Sequence, residues 1–255
     1  MNYYLDFNDK RLPFVYQMLI EQGYKAFKLD FENTKSIKKG DVVVLSPAFK
    51  WKEENAKALP DEVIVVCGKV SEDVLNILKQ KNIKHLNLMK DEDFVLKNAV
   101  LTAEGMLADL ILNTKKSIFD TTILVLGGGR VAKAVGVLFH QLGLNFDMSM
   151  RDDIKLIEGQ LYCKKLINWQ NYKEKLKNYD VVINTIPAKL FEQDDIKQFK
   201  PNSVVFELAS IKCLQDVSFD GFSYILCPAL PSKYTPESAG KLIFNYLLHN
   251  FKGEN

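Results

Sequence analysis

Three glycines that follow a short apolar run carry the clearest chemistry in this sequence. The run 123–126 is Ile-Leu-Val-Leu, and it leads directly into Gly127-Gly128-Gly129-Arg130-Val131-Ala132. This Gly-x-Gly-x-x-Ala pattern is typical of the strand, tight turn and helix that hold the phosphates of a dinucleotide. Gly127 permits the turn, Gly129 has no Cβ to keep a pyrophosphate away, and Ala132 lets the helix pack closely on the strand. The unpaired N–H groups of the helix N-terminus then favour an anion.

A tight glycine turn also occurs in unrelated α/β domains, so the residues that follow the motif matter. A strand is expected over 144–150, and its tip reads Ser149-Met150-Arg151-Asp152-Asp153. An arginine at this tip suits the 2′-phosphate of NADP, whereas Asp or Glu holds the ribose hydroxyl of NAD. We therefore expect NADP(H) as the cofactor, and NAD stays open because Asp152 and Asp153 offer carboxylates.

Two further buried strands are expected to end beside this turn. They cover 180–187 and 203–210, and their polar ends meet the edge of the sheet at which Gly127 lies. A nicotinamide would lie at this edge, since ligands of parallel sheets bind beyond the carboxyl ends of the strands. The residues expected to bind the cofactor are Gly127, Gly129, Arg130, Val131, Ser149, Arg151, Thr185, Ile186, Pro187 and Ala209.

The rest of the chain predicts the elements that position this motif. Apolar runs alternate with segments of helical spacing, which is typical of an α/β fold built on parallel sheets. Strands are expected at 3–5, 25–29, 41–47, 62–68, 85–88, 123–126, 144–150, 160–166, 180–187, 203–210 and 222–228. Helices are expected at 12–22, 71–81, 98–118, 131–142 and 168–177.

These elements divide into two domains, which agrees with the length of 255 residues. Residues 1–97 form an N-terminal α/β domain for a substrate or partner, and the C-terminal helix 237–252 is expected to pack back on it. Residues 98–118 form a linking helix, and residues 119–236 form an NAD(P)-binding Rossmann domain.

Composition excludes several classes of protein. The chain is 47% hydrophobic and carries a net charge of +2, and it has no long basic block with interleaved aromatic residues. Nucleic acid is therefore not expected as a partner. The first residues lack the basic start and apolar core of a signal peptide, and no apolar run reaches membrane-spanning length. We expect a soluble, cytoplasmic protein that has no membrane partner.

Cysteines and histidines indicate neither a metal site nor a catalytic base. The four cysteines, Cys67, Cys163, Cys213 and Cys227, show no Cys-x-x-Cys spacing and no nearby histidine, so reduced thiols are expected and a metal is not. His85 lies at the start of a predicted strand, His140 lies within a predicted helix, and His249 ends the last helix. None of them is assigned to the acid-base pair that hydroxyacid dehydrogenases use.

Several segments of the second part of the chain, taken in order, resemble the A subunit of bacterial dipicolinate synthase. The similarity extends over about residues 85–250 and is weak in the N-terminal third. Its most specific parts are Asn184-Thr185-Ile186-Pro187 and Leu208-Ala209-Ser210. The other matching segments are Leu101-Thr102-Ala103-Glu104-Gly105, the run 125–131, Arg151, Pro228-Ala229-Leu230-Pro231 and Pro236-Glu237-Ser238-Ala239-Gly240.

The resemblance implies two Rossmann-like domains with a cleft between them, arranged as in 2-hydroxyacid dehydrogenases. It implies NADP-linked oxidation of a dihydrodipicolinate-type precursor from the lysine pathway to pyridine-2,6-dicarboxylate, in the mother cell of a sporulating bacterium. The flavoprotein-like B subunit of dipicolinate synthase is the partner that it implies, and a homo-oligomer is expected by analogy alone.

Three departures from the family pattern concern the cofactor turn and the rim of the cleft. Ala132 replaces a glycine, which still permits close packing. The residues at 211–214 are Ile-Lys-Cys-Leu where the family has x-Pro-Gly-Gly, so a glycine turn is replaced, and Ala229 and Ser232 replace two further glycines. Two alternatives therefore stay open: a regulatory protein that binds NADP(H) without turnover, and a dehydrogenase of another small carboxylate.

A dicarboxylate substrate needs cations, hydroxyl groups or N–H donors. The expected substrate-binding residues are Ser46, Lys50, Thr102, Ser210 and Lys233. Glu104 is the candidate catalytic base or orienting carboxylate. The alternative for Thr102 and Glu104 is a purely structural role, as the N-cap of a helix and as an acidic partner of its dipole.

Overall fold

The computed structural model of this chain describes residues 1–152, 157–163 and 165–251. It divides into two compact units. The N-terminal unit comprises Met1–Asn98 and Pro231–Asn255, and the second unit comprises Ala99–Leu230. None of the helices in the described ranges combines the length and the apolar character that crossing a membrane requires.

The N-terminal unit contains a five-stranded parallel sheet with strand order β2-β1-β3-β4-β5. β2 lies on one side of β1, and β3, β4 and β5 follow on the other side, so the topological switch point of the sheet lies between β1 and β3. Ligands are expected beyond the carboxyl ends of those two strands. Their pairing places Leu5 opposite Val44 at these ends. The strands are β1 (Tyr3–Leu5), β2 (Ala26–Lys28), β3 (Val42–Val44), β4 (Ile64–Cys67) and β5 (Lys84–Asn87).

Helices cover both faces of this sheet because each carries an apolar stripe. On one face, Leu12, Val15 and Leu19 of the first helix share a core with Ile243 and Leu247 of the last one. The last helix therefore packs on the first within this unit. The helices are α1 (Leu12–Glu21), α2 (Glu53–Ala58), α3 (Glu72–Gln80), α4 (Glu92–Asn113), α5 (Arg130–Gln141), α6 (Tyr172–Lys175), α7 (Leu230–Tyr234) and α8 (Pro236–Phe251). The second unit contains α5, α6, the part of α4 from Ala99 onward and Leu230 of α7.

The second unit contains a six-stranded parallel sheet with strand order β11-β10-β9-β6-β7-β8. This is the order of a dinucleotide-binding Rossmann fold, in which the crevice opens between the first and fourth strands, here β6 and β9. The strands are β6 (Ile123–Leu126), β7 (Phe146–Ser149), β8 (Lys165–Ile167), β9 (Val181–Asn184), β10 (Val204–Glu207) and β11 (Ser223–Leu226). Short 3₁₀ segments occur at Leu88–Lys90, Ile118–Asp120, Leu176–Asn178 and Gln193–Gln198.

The long helix α4 corrects one prediction. It spans Glu92–Asn113 rather than 98–118, and Asp91 caps it by accepting a hydrogen bond of 2.7 Å from the Phe94 N–H. Thr102 and Glu104 therefore lie in the middle of the helix. The alternative considered for these two residues, Thr102 as an N-cap and Glu104 as a partner of the helix dipole, is wrong.

The segment after β7 differs from the prediction in a second way. A strand was expected over 160–166, but the described residues form a helical turn at 157–159 and then turns, and β8 begins only at Lys165. The helix expected over 168–177 is reduced to α6 and a 3₁₀ turn, and α2 was not expected at all. Asp153, one of the two aspartates that keep NAD open, lies outside the described residues.

Candidate nucleotide-binding site

The first glycine of the motif is required by the protein itself. Gly127 follows β6 with a φ of +123°, a conformation that residues with a side chain rarely adopt. A Cβ built on it would lie 2.2 Å from the Thr185 Oγ1. The Gly127 N–H donates to the Ser149 carbonyl at 2.9 Å, which ties the turn to the end of β7. Glycine is therefore a structural necessity at position 127.

Gly129 shows the opposite behaviour. It is the N-cap of α5 with a φ of −80°, which any residue adopts, and a Cβ built on it would meet no described protein atom within 4 Å. The described part of the chain therefore leaves space beside this helix N-terminus. A phosphate would fit there and would meet the N–H groups of the first turn of α5, which have no carbonyl partner within the helix. The turn thus fits the dinucleotide that the motif predicts.

Thr185 locks the two strands that flank the crevice. Its backbone N–H and its hydroxyl both donate to the Leu126 carbonyl, at 3.0 and 2.8 Å. The next residue is also fixed, because the Ile186 N–H donates to the Asn184 side-chain oxygen at 3.0 Å. The protein's own hydrogen bonds therefore hold the loop after β9.

A cleft of about 1090 Å³ opens at this edge of the second unit. Among the described residues that line it, Arg151, Lys173 and Lys189 are basic and Asp152 is acidic. Lys173 pairs with Asp195 at 2.6 Å, and Lys189 pairs with Glu192 at 2.7 Å, whereas Arg151 is exposed. The remaining lining is Gly127, Gly128, Met150, Trp169, Gln170, Tyr172, Ile186, Pro187, Ala188 and Leu190. A cleft of this size, with an exposed arginine and aromatic groups in its lining, suits a phosphorylated ligand that carries a ring.

The residues predicted to bind the cofactor take three kinds of position. Gly127, Arg151, Ile186 and Pro187 line the cleft. Gly129, Arg130 and Val131 begin α5, and Thr185 and Ala209 are partly buried in the loops after β9 and β10.

Ser149 differs from the other predicted cofactor residues. It is fully buried, and its hydroxyl has no hydrogen-bond partner among the described residues. It supports the turn through its carbonyl and does not line the cleft, because the last residue of β7 points into the interior.

A buried carboxylate that the sequence analysis missed organises the neighbouring loops. Glu207, only 3% exposed, ends β10. Its carboxylate accepts hydrogen bonds from Asn184, Ala209, Cys213 and Tyr224, at 2.6 to 3.0 Å. Burying a charge is costly unless donors surround it, and here four donors do so. The end of β9, the loop after β10 and Tyr224 of β11 are thereby tied to one side chain.

The predicted substrate residues lie on both units. Ser46 follows β3, Lys50 is exposed a few residues later, and Lys233 lies on α7 with its Nζ 4.5 Å from the centre of the Tyr234 ring. Thr102 is half-buried and Glu104 exposed on α4, while Ser210 is exposed after β10.

Within the N-terminal unit, Ser46 has neighbours that the sequence analysis missed. Its hydroxyl accepts hydrogen bonds from Arg11 at 3.2 Å and from the Ala48 N–H at 3.1 Å. The guanidinium of Arg11 is itself buried and paired with Asp9.

The structure corrects one prediction about the cysteines and histidines. All four cysteines are free and buried, but Cys67 does have a histidine neighbour, since its sulfur lies 3.3 Å from the His85 Nε2. His85 is part of β5, and its Nε2 also lies 3.1 Å from the Gly68 carbonyl. Burial raises the pKa of Cys67 to about 12, so this pair holds no thiolate at neutral pH. His140 lies exposed in the last turn of α5.

Sequence and structure comparisons show which known proteins this chain is similar to. No protein-family model matches the chain. It is 26% identical over 199 residues to the A subunit of dipicolinate synthase from Bacillus subtilis (strain 168), which covers 77% of this chain and 67% of that protein. The crystal structure of the Bacillus subtilis dipicolinate synthase A chain superposes with a TM-score of 0.79 at 21% identity, over 100% of this chain and 97% of that one. The resemblance to the A subunit of dipicolinate synthase is confirmed.

Other solved structures support the same fold. The A subunit of dipicolinate synthase from Bacillus halodurans gives a TM-score of 0.81 at 20% identity and covers 98% of this chain and 97% of that chain. The NAD-dependent formate dehydrogenase from Staphylococcus aureus, solved in complex with NAD, gives 0.59 at 16% identity, with 100% and 97% covered. The chain therefore shares its fold with both proteins, one of which is an NAD-dependent dehydrogenase.

The loop that departs from the dipicolinate synthase pattern is well anchored in this structure. The Cys213 N–H donates to Glu207, and the Cys213 carbonyl accepts from the Leu190 N–H at 3.1 Å. Leu214 forms a parallel bridge with Phe191. Burial and the charge of Glu207 raise the pKa of Cys213 well above its usual range, so its thiol stays protonated. The missing glycine turn is thus replaced by a loop that the buried carboxylate holds.

Proposed function

We propose that this chain is an NADP-dependent oxidoreductase that converts a dihydrodipicolinate-type precursor into pyridine-2,6-dicarboxylate. The turn at 127–129 is the main support for the cofactor. The backbone conformation and the contact with Thr185 require glycine at position 127, whereas Gly129 leaves space among the described residues at the N-terminus of α5. The similarity to the A subunit of dipicolinate synthase supports the substrate part.

The cleft of the second unit supports NADP over NAD. Arg151 lines it at the tip of β7, the position that faces the 2′-position of the adenine ribose in this fold. Its guanidinium can bind a phosphate through two parallel hydrogen bonds. Trp169, stacked on Tyr172 with ring centres 4.6 Å apart, offers an aromatic face to the ligand.

When bound, NADP supplies a hydride acceptor at nicotinamide C4. The substrate ring loses a hydride and a proton and becomes aromatic, which provides much of the driving force, so the chain needs to orient the rings more than to activate them. Ser46, Lys50, Thr102, Ser210 and Lys233 remain the proposed substrate contacts, and Glu104 the proposed base. Glu104 is exposed on α4 and therefore accessible to exchange a proton with water.

The proposed setting follows the resemblance. The reaction would branch from the lysine pathway in the cytoplasm of the mother cell during sporulation, with a flavoprotein-like B subunit as partner and a homo-oligomer as the working state. These statements rest on similarity to the A subunit of dipicolinate synthase alone.

The decisive experiment mixes the protein with NADP and freshly made dihydrodipicolinate precursor, with and without the B subunit from the same genome. The absorbance bands of NADPH and of dipicolinate should grow together, and Gly129→Asp should abolish both. NADP binding with neither band, in both mixtures, would contradict the synthase and favour a regulatory protein. NADPH formation with a different small carboxylate alone would favour another dehydrogenase.

A further inference from the structure

A buried arginine follows the first strand of the N-terminal unit. Arg11 is 3% exposed, and its guanidinium forms a two-pronged pair with Asp9. The Nε donates to the Asp9 Oδ1 at 2.8 Å, and the Nη2 donates to the Oδ2 at 2.6 Å. This geometry fixes the plane of the guanidinium.

Asp9 is held as firmly as the arginine. Its Oδ1 also accepts from the Arg11 backbone N–H at 2.9 Å and from the Ser232 hydroxyl at 3.1 Å. Burial alone would raise the pKa of Asp9, but the hydrogen bonds and charge of Arg11 outweigh it and lower the pKa to about 2. Both partners are therefore charged at neutral pH, and Asp9 orients the guanidinium.

One end of this guanidinium has no protein acceptor. Besides Asp9, the Nη2 donates to the Ser46 hydroxyl at 3.2 Å. The Nη1 donates to none of the acceptors in the described part of the chain, and it is not among the buried polar atoms that lack a partner there, so solvent reaches it. Its two N–H groups are left for an incoming acceptor.

The position of this group is where a ligand is expected. Arg11 lies on the loop after β1 and Ser46 directly follows Leu45 at the end of β3, the two strands between which the sheet order reverses. The Asp6 N–H donates to the Val44 carbonyl at 3.1 Å, which joins the two strand ends. In parallel sheets, ligands bind in the crevice beyond such strand ends.

We propose that Arg11, oriented by Asp9 and flanked by Ser46, binds a carboxylate of the substrate. The inference rests on the proposed function, because the dicarboxylate named there supplies the carboxylate. A buried ion pair by itself is weak support for stability, and an apolar pair of similar size would often serve as well. A guanidinium that is fixed in place and has one end facing solvent is suited to binding an anion. Its planar pair of N–H donors matches the two oxygens of a carboxylate.

The test measures binding of pyridine-2,6-dicarboxylate to the full chain by titration calorimetry, with NADPH present. Arg11→Lys keeps the charge and removes the fork, and we expect a loss of affinity of at least about 10-fold. Ser46→Ala leaves the ion pair intact and should weaken binding about 3-fold. Lys10→Gln changes an exposed neighbour and is the matched control, expected to bind as the wild type does. NADPH affinity and thermal unfolding are measured for every variant.

The outcomes separate this inference from the proposed function. If the wild type binds the dicarboxylate and Arg11→Lys and Ser46→Ala bind it equally well, the inference is overturned and the function stands. If the wild type binds only another carboxylate, such as pyridine-2-carboxylate or succinate, and Arg11→Lys loses it, the inference stands and the function fails. Binding of inorganic phosphate alone, or of none of these acids, overturns both.

Discussion

The two parallel sheets present different chemistry at the carboxyl ends of their central strands. In the second unit the backbone shapes the site, through a glycine with a φ of +123° and an open helix N-terminus. In the N-terminal unit side chains shape it, through Arg11, Asp9, Ser46 and Ser232. A backbone site is visible in sequence because only glycine permits it, whereas a side-chain site assembled from distant positions leaves no local pattern.

The largest effect is expected at Gly127. Gly127→Ala places a methyl 2.2 Å from the Thr185 Oγ1 and forces a side chain into a φ of +123°. We expect a loss of about 2–5 kcal/mol in the free energy of unfolding, since strain and overpacking add. Urea unfolding measures it. Gly129→Ala is the control, because its Cβ meets no described atom within 4 Å, and equal stability of the two variants would contradict this view of the turn.

The buried carboxylate of the second unit comes next. Glu207→Ala leaves four donors without an acceptor and should cost about 3 kcal/mol of unfolding free energy. Glu207→Gln keeps the shape and should cost less. Glu174→Ala, at an exposed site in the same unit, is the control. If Glu207→Ala unfolds at the same urea concentration as the control, the loops are not held by this side chain.

The Asp9–Arg11 ion pair of the N-terminal unit should make the free energy of unfolding depend on pH. The pKa of Asp9 is lowered to about 2 in the folded chain, so the unfolded chain takes up its proton first as the pH falls. The stability that Asp9 contributes is therefore complete above pH 4 and lost towards pH 2, and we expect roughly 1–2 kcal/mol after solvent screening. Urea unfolding of the wild type and Asp9→Asn across this range measures it, and a constant difference between them would contradict the assignment.

A smaller and more selective effect is expected at Arg151. Arg151→Gln should weaken NADPH binding about 10-fold, because one charge-assisted contact to the 2′-phosphate is lost. NADH binding and stability should not change, since the side chain is exposed and NADH has no such phosphate. Fluorescence titration with the two nucleotides gives the ratio. Equal weakening for both would show that Arg151 does not read the 2′-phosphate.

The success of sequence reasoning follows this division between backbone and side chains. The strands and the Gly127 turn are predicted correctly, apart from the strand expected over 160–166, because apolar runs and glycines act locally. The start of α4 was misplaced although Asp91, Glu92 and Asp93 carry the acidic pattern of a helix N-terminus.

The missed site residues have a different cause. Glu207 looks like one polar residue in a strand, and its four donors come together only in the folded chain. Arg11 and Ser46 lie 35 residues apart and meet only because β1 and β3 pair. Local spacing contains no sign of either contact.

The most direct test of the central claim, that the turn at 127–129 is a phosphate cradle, is the affinity of Gly129→Asp for NADPH. Aspartate is a favourable N-cap, so stability should be unchanged or slightly higher, while its charge occupies the open space. We predict that NADPH affinity falls at least about 100-fold, since a carboxylate would face the pyrophosphate. Unchanged affinity in a folded Gly129→Asp variant would contradict the account.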